Sequence, residues 1–91
     1  PNIYVPNCFT PDGDGLNDLF RPECYYIKEI ETYIFDRWGI EIYHWSGLQG
    51  GWNGKVKNAE PKQDVYVYLI KAKSVFNNKQ ISLTGTVTLL K

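Results

Sequence analysis

Along most of the chain apolar and polar residues alternate with a period of two, as expected of strands that bury one face. The clearest stretch is "DVYVYLIKAKSVF". Here Tyr66, Tyr68, Ile70 and Ala72 share one face, while Val65, Val67 and Leu69 give way to Lys71 and Lys73 on the other. After a turn at "NNK", the segment "QISLTGTVTLLK" sets Ile81, Leu83, Val87 and Leu89 against Ser82, Thr84, Thr86 and Thr88. These two segments carry the strongest strand predictions. Upstream, "IYV" opens with branched and aromatic residues. In "YYIKEIETYIFDRW", Ile30, Thr32 and Ile34 alternate with Glu31, Tyr33 and Phe35. Large apolar groups on both faces near its end predict a strand buried on two sides there. "GIEIYHW" reads as its hairpin partner through the turn at "RWG", with Ile40, Ile42 and His44 facing opposite to Glu41, Tyr43 and Trp45.

Four glycines in the eight positions 47–54 exclude a regular element from "SGLQGGWNGK". No window combines helical spacing with a cap, apart from a single turn that "GLNDLF" could form. Short strands at turn-punctuated intervals predict an all-β fold, a small antiparallel β-sandwich of immunoglobulin-like character. A length of 91 residues with 43% hydrophobic content suits a single domain over residues 1–91. The formal net charge is zero, so no global field draws in nucleic acid or anionic lipid, and neither is expected as a partner. No apolar run approaches the ~18 residues of a membrane span, so no membrane insertion is expected. The chain holds no methionine, and we read it as a piece of a longer protein.

Between Phe9 and Phe20, "FTPDGDGLNDLF" gathers acids, an asparagine and glycines. In an EF-hand-like register with Gly15 at the bend, the oxygens for calcium would come from Asp12, Asp14, the Leu16 carbonyl and Asp18. The fit stops at Arg21, which stands where the closing bidentate acid belongs. Asp and Asn serve tight turns equally well without a metal, and this is the simpler reading. Calcium stays as the candidate cofactor, and none is required. A carboxylate pair crowded into one loop does not suit glycoside hydrolysis.

Cys8 and Cys24 flank this loop. A disulfide between them would stabilise the fold by roughly 3 kcal/mol in the chain-entropy model, and two unrelated thiols are the alternative. One histidine, His44, gives neither a zinc site nor a nucleophilic triad. Trp38, Trp45 and Trp52 suit core or corner packing, and the alternative is a stacking platform for sugars.

Taken in order, the segments resemble a family. "FTPDGDGLNDLF" is similar to "FTPNGDGxND", "IFDRWG" to "IFNRWG", "GGWNG" to "GWDG", "DVYVYLI" to "GVYVY" and "LTGTVTLLK" to "KGTVTL". Together they resemble the gliding-motility-associated C-terminal domain, the type B sorting domain of the type IX secretion system of Bacteroidetes. Asp12, Asp36, Asn53 and Asp64 depart from the pattern, mildly for the first three, while Asp64 replaces a common glycine.

The resemblance implies a non-catalytic C-terminal sorting domain behind an N-terminal passenger. Such a domain reaches the periplasm first and is then exported across the outer membrane to the cell surface or medium. It implies recognition by the type IX machinery or an outer-membrane adaptor, through a sheet edge or the final strand. Lys91 directly after a strong strand fits a natural C-terminus, and an oxidising route suits paired cysteines. Arg37, Trp38, Gly39, Trp52 and Gly54 are then the expected turn anchors. The rival expectation is a carbohydrate-binding or calcium-dependent adhesion module of a secreted protein.

Overall fold

Seven strands form in the computed structural model, which describes residues 2–11, 13, 18–57 and 59–90. They are β1 (Asn2–Tyr4), β2 (Cys8–Phe9), β3 (Glu23–Tyr25), β4 (Ile27–Phe35), β5 (Glu41–Ser46), β6 (Asp64–Ser74) and β7 (Gln80–Leu89). Among the described residues there is no helix. A five-stranded sheet runs in the order β2-β7-β6-β4-β5, and a two-stranded sheet joins β1 to β3. The β6–β7 ladder holds one register from Asp64↔Leu89 to Lys73↔Gln80. That register places Tyr66 opposite Val87, Ile70 opposite Leu83 and Ala72 opposite Ile81, the apolar sets that the alternation predicts. One pairing departs from the antiparallel expectation: β2 runs parallel to β7, with the Thr88 N–H donating to the Asn7 carbonyl at 2.9 Å.

Two clusters fill the inner face of the large sheet. Ile27, Ile30, Ile70 and Ala72 form the first, and Ile3 and Cys24 of the small sheet close over it. Phe9, Phe20, Ile34, Trp52, Tyr66, Val87 and Leu89 form the second, where loop residues rather than strands supply much of the cover. A single residue, Tyr26, links β3 to β4. It takes a left-handed φ of 62°, which turns the chain out of one sheet and into the other.

The outer face of the large sheet corrects the expectation of two-sided burial in β4. Ile34 is fully buried, but Tyr33 and Phe35 are only half-buried, and Val65 and Val67 beside them are exposed. Both clusters lie on the inner side, so the apolar residues of the outer side stay at the surface. The β5 alternation also breaks. The register shifts between Ile34 and Phe35, which face Tyr43 and Glu41, and leaves Ile42 as the extra residue. The bulge lets Ile42 and Trp45 both pack on the same cluster despite their opposite parity.

Candidate recognition surface

The similar segments of the sequence meet in one place. Phe9 and Phe20 come from the opening stretch, Ile34 from "IFDRWG", Trp52 from "GGWNG", Tyr66 from "DVYVYLI", and Val87 and Leu89 from the last segment. These seven residues are the buried members of the second cluster. Trp52 is its hub. The ring lies edge-on to Tyr66 at 4.9 Å and tilted to Phe9 at 5.5 Å, and its indole N–H donates to the Lys55 carbonyl at 3.0 Å. Its backbone bridges Phe20 in both directions, at 2.8 and 3.0 Å, so the glycine-rich turn and the end of the acidic stretch are fastened together. Gly54 follows with φ 88°, and a Cβ there would stand 2.8 Å from Leu89 and 3.0 Å from Pro61.

The other tryptophan turn is built differently. Asp36 accepts from the backbone N–H groups of Trp38 and Ile40 at 2.9 and 3.0 Å, and Gly39 supplies φ 83°. The Asp36 carboxylate therefore anchors the turn, and Trp38, expected to pack, is 78% exposed. The turn joins β4 to β5 at the end of the sheet, and Trp38 belongs to neither buried cluster. Beside it Arg37 donates to Asp64 at 2.8 Å. The Val65 N–H first, then Arg37, hold the Asp64 carboxyl below its ordinary range. The aspartate in place of glycine at 64 thus ties the turn to β6.

A sugar platform would need the three tryptophan rings together at the surface. Trp52 is fully buried and Trp45 is half-buried against Phe20, which leaves Trp38 without its partners. His44 stacks on Tyr33 with centroids 5.7 Å apart and lies 3.5 Å from Glu41. Among the described residues no group of three or more His, Cys, Asp or Glu is placed to hold a metal ion. Of the candidate calcium ligands, Asp12, Asp14 and Leu16 lie outside the described residues. Asp18 accepts from the Gly13 N–H at 3.0 Å, a turn-forming contact. Cys8, exposed, and Cys24, half-buried, stand unbridged in this structure. They stand on strands of different sheets, Cys8 on β2 and Cys24 on β3.

Trp38 and Ile40 at the turn, and Phe35, Val65 and Val67 on the outer face, are apolar groups left at or near the surface. Sequence reasoning missed them as a surface because the same residue types fill cores. Their signal lies in register: Phe35 pairs with Val67, opposite in direction to the core pair Ile34 and Tyr68. The model of one family, the CHU_C type IX secretion signal domain, matches residues 3–89. No curated protein and no solved structure is matched by the chain.

Proposed function

The chain belongs to the CHU_C type IX secretion signal domain family, and we propose that its signal is the surface of the folded domain rather than a linear motif. The family role makes it the part that directs a parent protein to the cell surface or medium by type IX secretion, whose machinery recognises it. The observation that carries the folded-signal reading is the convergence of the similar segments on one buried cluster. Side chains buried this deeply cannot touch a receptor, so these seven residues act by building the shape that a receptor meets.

In this reading the domain performs no catalysis. It sits behind an N-terminal passenger in a longer chain, passes through the periplasm folded, and is met by an outer-membrane adaptor or another machinery component. Calcium, held by Asp12, Asp14, the Leu16 carbonyl and Asp18, would stiffen the opening loop without taking part in recognition. Calcium should then raise the melting temperature, and Asp14→Ala should remove the rise; identical melting curves with calcium and with chelator would dismiss the site.

The principal test fuses these residues to a periplasmically targeted fluorescent reporter in a host with and without a working type IX system. Export that requires both the domain and the system is the expected result. Retention of a folded fusion in a host that exports other cargo of this family would overturn the reading.

A further inference from the structure

The two edges of the large sheet are finished in opposite ways. β5 carries the protections common on solvent-facing edges: it is short, bulged at Ile42, and bears Glu41 paired with His44. β7 has none of these. It is ten residues long, its ladder with β6 is continuous, and its outward-facing residues Gln80, Ser82, Thr84 and Thr86 are uncharged. Among the described residues its other side meets only β2, at Thr88 and Leu89.

The direction of the open hydrogen bonds follows from that short contact. The N–H groups of Thr88 and Leu90 donate to Asn7 and Phe9 at 2.9 and 3.0 Å, so even-numbered residues of β7 point their backbone groups away from β6. By alternation, Ser82, Thr84 and Thr86 present theirs to the open edge. Side-chain burial changes at the same point. Val87 and Leu89, next to β2, are fully buried, whereas Ile81 and Leu83, where β2 does not reach, are half-buried on the same face. Among the described residues the edge thus has no backbone partner over one stretch, and its apolar cover is thinner there.

We propose that this stretch, Ser82 to Thr86, receives an extended segment of the type IX machinery as an added strand lying in line with β2. The inference rests on the family role. The segment that fits is uncharged. Its apolar residues, at every second position, cover Ile81 and Leu83, and small polar residues between them lie beside Ser82, Thr84 and Thr86. A second copy paired about the middle of this stretch fits less well. Antiparallel self-pairing centred on Thr84 would set Gln80 of one copy against Thr88 of the other, where Cys8 already stands.

Thr84→Pro tests the edge directly. It deletes an outward N–H and no bond to β6, and proline is tolerated on that side of an edge strand. Thr84→Lys adds the charge that blunts edges. Both are compared with the unaltered domain in the reporter fusion, and thermal melting identifies which variants are folded. If the unaltered fusion is exported and the folded variants lose export by about ten-fold or more, as for lost backbone hydrogen bonds, the edge is the docking line. Folded variants exported like the unaltered domain would overturn the edge proposal and leave the sorting role intact. Failure of the unaltered fusion would instead strike the sorting role. Self-association of the purified chain that either variant abolishes would also overturn the proposal, since the occupant would be a second copy. Should Thr84→Pro not fold, Thr84→Lys decides.

Discussion

Two turns of this molecule share a tryptophan beside a glycine, in "DRWG" and in "GGWNG", yet their rings have opposite fates. Trp52 is fully buried and Trp38 is 78% exposed. Both turns have an acid or amide bonded to backbone N–H groups: Asp36 accepts from Trp38 and Ile40, and Asn53 accepts from Lys55 at 3.0 Å. Turn chemistry therefore does not decide the burial of the ring. What decides it is the surface behind the turn, which for Trp52 is Phe9, Phe20 and Tyr66 and for Trp38 is the end of a sheet. The first ring supports the fold, and the second is available to a partner.

Substitutions can break this contrast. Trp52→Ala should cost about 3–5 kcal/mol, as for a large ring removed from a packed core, measured by urea unfolding. A cost below about 1 kcal/mol, the size of an ordinary surface change, would deny Trp52 its place as hub. Gly54→Ala comes next, at about 1–3 kcal/mol, because the new methyl meets Leu89 and Pro61 and the backbone is left-handed. If melting is unaffected, the close approach at 54 is not a constraint.

On the exposed turn the effects should be smaller. Asp36→Ala should destabilise by about 1 kcal/mol through two lost acceptor contacts, and amide exchange of Trp38 and Ile40 should quicken. Unchanged exchange rates would show that something else fixes the turn. Arg37→Ala tests the link to β6 through its pH dependence. Asp64 has its folded pKa lowered, so its stabilisation is present above the ordinary carboxylate pKa and is lost as pH falls through the folded value. The variant should melt lower than the parent at neutral pH, with the gap closing on acidification; a gap that persists in acid would exclude Asp64 as its source. Only part of the Asp64 shift should go, since the Val65 N–H remains. Trp38→Ala should change stability by less than about 0.5 kcal/mol. A core-sized loss would mean that the two turns are alike after all.

Much of this could be read from the residues because alternation is a local signal. β6 and β7 bury the set of side chains that their period of two predicts, and Trp52, among glycines that exclude a regular element, was expected to pack. The fate of Trp38 was not legible, since its neighbours in the chain resemble those of Trp52 and the difference lies in distant residues. The same holds for Phe35 and Tyr33: both look like core residues until one knows that the second sheet covers only the inner side. The bulge at Ile42 hid the shared facing of Ile42 and Trp45, because one extra residue inverts parity. Gly85, which reads as a weak point in a strand, lies where the Tyr68 ring crosses β7, and a Cβ would strike the Tyr68 hydroxyl.

The parallel contact between β2 and β7 gives the fold a sense of time. Among the described residues, Cys8 and Phe9, made early, have their strand partner only in Thr88 and Leu89, made some eighty residues later. Val87 and Leu89 also fill the aromatic cluster. A ribosome that stalls, or a protease that trims the last strand, leaves that cluster without its floor. Such a product would hold every earlier segment yet lack the shape they build together.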